Sequence, residues 1–167
     1  MIIAIDGPSA SGKSTTAKGV SNKLGFTHID TGSMYRAVTF GLSHESIMLD
    51  DRNGIISYLR NLDLKFDSNG HIILNGNNVS NAIRTVEISS KVSKISAIPE
   101  IRGKMVDFQR KIAGKSDCVL EGRDIGTVVF PNADYKFYMV ADINIRAQRR
   151  LIELKQIDES TTIEEII

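Results

Sequence analysis

The chain has 167 residues, of which 41% are apolar, and its 21 basic residues nearly balance 20 acidic ones. That length suits one compact domain burying about two-thirds of its unfolded surface, and the charge balance excludes a nucleic-acid or membrane-surface binder held by bulk positive charge. Cys118 is the only cysteine, which excludes an intramolecular disulfide and a cysteine-cluster metal site and suits a reducing compartment.

The opening MIIAID carries no basic leader, and no run approaches about 18 apolar residues. The expectation is a soluble, cytoplasmic protein with neither nucleic-acid nor membrane partners. Residues 2–5 are a continuous apolar run, as for a strand buried on both faces of a parallel sheet. A glycine-rich turn follows, and residues 13–24 read as a helix with Ala17, Val20 and Leu24 on one face. The pattern repeats: THID (27–30) as a strand, then GSMYRAVTFGL with helical spacing at Met34, Val38 and Leu42.

The middle of the chain changes character. LDLKFDSNGHIILNGNNVS alternates apolar and polar residues around Asn69-Gly70 and Gly76, turn signals for short antiparallel strands. Two helical stretches come next, 85–98 and 99–114, with Pro99 opening the second. CVLE (118–121) and YKFYMV (135–140) are further apolar strands, the latter followed by the basic helix INIRAQRRLIELK. The terminal STTIEEII has a helix-start signature at Thr161 or Thr162 but only about one turn to follow it, as if the sequence were a fragment of a longer chain. The expected fold is a three-layer α/β P-loop fold with a parallel central sheet of at least four strands. Its core spans 1–30 and 115–167, and residues 31–114 form an insertion with a small antiparallel sheet.

The turn GPSASGKS matches G-x-x-x-x-G-K-[ST] between a buried strand and a helix. Residues Gly7, Pro8, Ser9, Ala10, Ser11, Gly12, Lys13, Ser14 and Thr15 are therefore candidates for wrapping nucleotide phosphates. The backbone N–H groups and the helix dipole face the anion, Lys13 reaches the β- and γ-phosphates, and the Ser14 hydroxyl is a magnesium ligand. The bland reading is a glycine-rich turn with a surface lysine. A GTP switch needs a base-reading N-K-x-D and a D-x-x-G after a buried strand. The chain offers only NKLG inside the first helix and DRNG at Asp51, which reads better as a helix N-cap.

An anionic acceptor in line with the γ-phosphate needs arginines to offset the gathered charge. Asp30 sits at a strand's C-terminal end, where α/β folds bind ligands, with Tyr35 and Arg36 in the next helix. Gly122, Arg123 and Asp124 follow a buried strand, where Arg beside Asp suits a phosphate contact next to a base or ribose acceptor. A structural ion pair is the competing idea there. Ser93 with Arg102, and the cluster Arg146, Arg149 and Arg150, are weaker candidates whose default reading is a solvated helix face.

Taken together, GPSASGKST, DTGSMYR, the run VSNAIRTVEIS through AIPEIRGKMVDFQR, and EGRDIGTVVFP resemble bacterial-type cytidylate kinase, of the nucleoside monophosphate kinase group. The resemblance runs over essentially the whole chain. It implies phosphoryl transfer from ATP with Mg2+ to CMP or dCMP, in pyrimidine nucleotide metabolism, by a monomer whose insertion binds the monophosphate. It further implies that Thr31, Arg36 and Arg123 contact the CMP phosphate, that Ser93, Arg102 and Asp124 recognise cytosine, and that Arg149 and Arg150 lead into a lid over ATP. Lys13, Arg36 and Arg123 are the candidate catalytic residues.

Two departures from the family pattern stand out. Glu121 occupies a position where many members have aspartate, and it would organise magnesium-bound water with a longer reach. The family also continues past the position of Ile167 with an Asp- and Arg-rich lid and a last core strand. The rival readings are another small kinase, for adenylate, uridylate or shikimate, and a non-catalytic nucleotide-binding protein.

Overall fold

The structure is a computed structural model and describes residues 1–155. The helix start at Thr161 or Thr162 lies outside the described residues. In chain order the elements are β1 (Ile2–Asp6), α1 (Lys13–Leu24), β2 (Thr27–Asp30), α2 (Thr31–His44), α3 (Arg52–Arg60), β3 (Leu64–Phe66), β4 (Ile72–Leu74), β5 (Asn77–Asn78), α4 (Val86–Ser96), α5 (Pro99–Ala113), β6 (Cys118–Gly122), β7 (Tyr135–Tyr138) and α6 (Ile143–Lys155). They form two units: Met1–Asp30 with the chain from Ser116 onward, and Thr31–Lys115.

In the first unit the strands order as β2-β6-β1-β7, all parallel. The register sets Ile3 opposite Val119, Ile5 opposite Glu121, His28 opposite Val119 and Asp30 opposite Glu121. Residues paired in register share a sheet face. On that face Ile3, Ile5 and Val119 pack against Ala17 of α1, with Val20, Phe26 and Met139 around them. The other face carries Ala4, Ile29 and Leu120, which are fully buried. A β-rich strand followed by a glycine turn thus lays α1 along one row of side chains, and that row ends at Glu121.

Two expectations about this unit change. The buried positions of α1 are Ala17 and Ser21, while Leu24 is half exposed. A helix lying close on a sheet takes small residues at the contact, and the Ser21 hydroxyl is satisfied by donating to the Lys18 carbonyl at 3.0 Å. The helix then ends on Gly25 in the left-handed region (φ 69°). The second change is β7, shorter than the apolar run that suggested it and exposed throughout, with Tyr135, Phe137 and Tyr138 all more than half accessible. It is the outer strand on its side of the sheet among the described residues, so its aromatic content reflects strand propensity and not burial.

The second unit joins a small antiparallel sheet, β3-β4-β5, to four helices. Asn75 and Gly76 link β4 to β5 with φ of 47° and 83°, the paired positive values of a type I′ hairpin that Asn-Gly favours. Leu64, Ile72 and Leu74 are buried from the sheet, and Met34, Ala37, Val38 and Leu42 from α2. Two helix signals act as read: Asp51 caps α3 by accepting from the Gly54 N–H at 2.8 Å, and Pro99 stands in the first turn of α5. Thr85, read as part of the helical stretch, instead caps α4 through the Ile88 N–H at 3.2 Å.

Candidate active site

The loop between β1 and α1 is shaped by backbone conformations that few residues tolerate. Gly7 has φ 150°, and a Cβ there would run into the Met139 carbonyl oxygen. Met139 is held close because its N–H donates to the Asp6 carbonyl at 2.7 Å. Gly12, at φ 96°, is the last residue before α1, and Ala10 is also left-handed at φ 57°. A non-glycine residue in that region costs on the order of 1 kcal/mol, so the loop's concave path is imposed by its surroundings.

Lys13 folds back over this loop. Its Nζ donates to the Pro8 carbonyl at 2.7 Å and lies 3.5 Å from the Ser11 hydroxyl. Burial, and then the Arg123 charge, hold its pKa below the ordinary lysine value, with Glu121, Asp6 and Asp30 opposing. The loop therefore holds a partly buried cation beside a second positive charge, Arg123, and such a pair favours an anionic ligand.

Opposite the first turn of α1, Glu121 ends the face that the helix covers. It is 4% exposed. Its Oε2 accepts from the Ser14 hydroxyl at 2.6 Å and its Oε1 from His28 Nε2 at 2.9 Å. The other sheet face is used differently: Asp6 is buried and accepts from the Ile125 and Gly126 N–H groups, both at 2.8 Å. That pins the π-helical turn Ile125–Val129, and with it the bend carrying Arg123 and Asp124. On α6, Arg149 donates to the Ala10 carbonyl at 3.2 Å, whereas Arg150 pairs with Glu153 at 3.0 Å.

Within the second unit, Thr31 opens α2 and is buried, and Tyr35 lies one turn on. Arg36 donates to the Ser89 hydroxyl at 2.8 Å and to the Ile83 carbonyl at 3.4 Å, so α2 presents its guanidinium toward the start of α4. Ser93 is on an exposed stretch of α4 and Arg102 on an exposed stretch of α5.

Comparison with known families now decides the class. The cytidylate kinase family profile matches residues 3–167. The chain belongs to the cytidylate kinase family. Among curated relatives, it is similar to a cytidylate kinase of Caldanaerobacter subterraneus subsp. tengcongensis, with 47% identity over 99% of this chain and 73% of the relative. Cytidylate kinases of Clostridioides difficile and of a Geobacter species are 45% and 44% identical over the whole of this chain, which covers 77% and 73% of them. As a cytidylate kinase family member the protein is a nucleoside monophosphate kinase acting on small nucleotides. Among the described residues no helix is long and apolar enough to cross a membrane.

Two residues of this cytidylate kinase family site escape a reading of the sequence. Asp6 looks like the end of an apolar strand, and its position just before Gly7 was the one available signal. His28 has a subtler signal, lying two residues before Asp30 and hence on the same face of β2. The oxygen donors present suit a hard divalent cation such as Mg2+. The Ser14 hydroxyl donates its hydrogen bond to Glu121 and so keeps lone pairs available for a metal.

Proposed function

We propose that the protein transfers the γ-phosphoryl group of ATP to CMP or dCMP, with Mg2+, releasing ADP and CDP or dCDP. The observation that carries this reading is the β1–α1 loop itself, with Lys13 folded back onto the Pro8 carbonyl and the adjacent Ser14 hydroxyl bonded to Glu121. In this reading Gly7 to Thr15 cradle the ATP phosphates, and Lys13 stabilises charge on the transferring group. A phosphate oxygen of CMP forms the new bond to Pγ while the bond from Pγ to the bridging oxygen breaks, and the electron pair leaves with ADP. Such a transfer asks for positioning and charge stabilisation more than for a general base. Mg2+, held by Ser14 and through water by Glu121, would neutralise charge on the phosphates.

The acceptor side is assigned by the family motifs. Asp30, Thr31, Tyr35, Arg36, Gly122 and Arg123 serve the CMP phosphate and ribose, and Ser93, Arg102 and Asp124 read cytosine. Cytosine offers an amino donor and ring acceptors, so an Asp acceptor beside Ser and Arg donors separates it from uracil by leaving polar groups unpaired with the wrong base. Residues 1–30 and 115–167 are the nucleotide core in this account and 31–114 the monophosphate-binding insertion. Of the two lid candidates Arg149 is favoured, because it donates to the Ala10 carbonyl of the loop. The protein works as a cytoplasmic monomer.

The test is ADP formation from ATP and Mg2+ with CMP, dCMP, UMP, AMP and shikimate offered one at a time. Turnover driven by CMP and dCMP alone supports the assignment. Turnover with UMP, AMP or shikimate in their place replaces the acceptor, and ATP binding without turnover on any acceptor favours a non-catalytic binder.

A further inference from the structure

His28 takes no part in the roles given above, yet its ring is turned in toward the site. It lies on β2, the outer strand beside β6, on the face shared with Val119 and Glu121, and its side chain is only 19% exposed. A glutamate reaches its carboxylate through three rotatable bonds, the last of them broad and roughly two-fold. The Ser14 hydroxyl holds Oε2 at 2.6 Å and His28 Nε2 holds Oε1 at 2.9 Å, so the two oxygens are tied to two different elements, α1 and β2, and the turn about that bond is fixed from both sides.

We propose that His28 is a positioning residue for phosphoryl transfer. By holding Oε1 of Glu121, it keeps Oε2 on Ser14 and presents the hydroxyl–carboxylate pair in one orientation to the metal-bearing end of the nucleotide. The proposal rests on the reading of Ser14 and Glu121 as the Mg2+ side of an ATP site. His28 touches no reacting atom and acts through Glu121 alone. Outer partners of this kind fix the rotamer of a carboxylate that would otherwise be bound loosely, and their loss is felt in metal affinity more than in ligand shape.

The test is ATP affinity measured by calorimetry with and without Mg2+, no acceptor present, for the wild type, His28→Leu and His28→Gln. Leucine fits a half-buried strand but lacks the donor, whereas glutamine keeps an N–H at similar reach. His28→Leu should lose about 10-fold of the Mg2+-dependent gain in affinity, leave metal-free ATP binding unchanged, and lower kcat with little change in the KM for CMP. His28→Gln should recover most of both losses.

An undiminished Mg2+ gain in His28→Leu overturns the proposal. So does an equal fall in metal-free affinity, a glutamine variant as impaired as the leucine one, or a wild type whose ATP affinity ignores Mg2+. Should His28→Leu not fold, His28→Asn, too short to reach Oε1, is judged by the same criteria. Turnover only on an acceptor other than CMP or dCMP sinks the functional reading alone, because the affinity comparison uses no acceptor.

Discussion

Ser14 and Glu121 lie 107 positions apart in the chain, and the hydroxyl at the start of α1 donates to the carboxylate at the end of β6 at 2.6 Å. The parallel register brings this about: α1 lies over the face of Ile3, Ile5 and Val119, and Glu121 is the next residue of that row beyond Val119. The first turn of the helix therefore meets it.

Because the two groups act as a pair, their removal should be non-additive. Ser14→Ala and Glu121→Gln should each lower turnover about 100-fold and raise the Mg2+ concentration needed for half-maximal rate, effects of the size seen when ligands or their partners are lost. The double variant should be little worse than the poorer single one. Steady-state rates across a Mg2+ titration check this, and fully multiplicative losses would separate the two roles.

Lys13→Met should depress turnover by about 100-fold or more while leaving the ligand-free protein at least as stable as the wild type. The folded-state pKa of Lys13 lies below its ordinary value of 10.5, with burial the leading cause. Between those two values the unfolded chain binds more protons, so stability rises with pH across that alkaline window, and at neutral pH the buried charge is a cost. Denaturant titrations should show the advantage of the methionine variant at pH 7 shrinking as the pH climbs toward 10.5.

Arg102→Ala and Asp124→Ala should raise the KM for CMP about 10-fold or more, with a smaller effect on ATP. Initial rates with each substrate varied in turn separate the two. Equal losses for both substrates would count against base reading by either residue.

Tyr58 is 6% exposed, and its hydroxyl has no hydrogen-bond partner among the described residues. It abuts Gly41 of α2, and burial raises its pKa to about 12. A buried unpaired hydroxyl is a liability, so Tyr58→Phe should leave stability unchanged or raise it by about 1 kcal/mol. Gly41→Ala should cost about 1 to 3 kcal/mol, because a methyl group there collides with the phenol. Thermal unfolding of both variants is the check.

Cys118 is fully buried in β6, and burial raises its pKa to about 11. The thiol should be inert to alkylating reagents at pH 8 in the folded protein and react fully in denaturant, which mass spectrometry reads directly. Rapid modification of the native chain would mean that the central sheet opens.

Much of the fold was legible because its signals are local. The apolar strand, the glycine turn and the helix that follow one another in residues 1–24 each depend on neighbours in sequence, as do the Asn75-Gly76 turn, the Asp51 cap and Pro99. Leu24 is exposed, and β7 is a sheet strand as expected but shorter than its apolar run, because apolar character shows strand or helix preference without showing which neighbour covers it. The site divides the same way. The loop is contiguous and reads as a motif, but Asp6 and His28 gain their meaning only from partners at Ile125, Gly126 and Glu121, across strands whose pairing no local pattern announces.

What separates a kinase from a nucleotide binder or a hydrolase is transfer. Incubating the protein with Mg2+, CMP and ATP labelled in the γ-phosphate, then separating the nucleotides, measures it. Label should appear in CDP, with none as free phosphate beyond the uncatalysed level, and labelled CDP should be lost in Lys13→Met. Label released as inorganic phosphate, or retained wholly in ATP while ATP is bound, would rule transfer out.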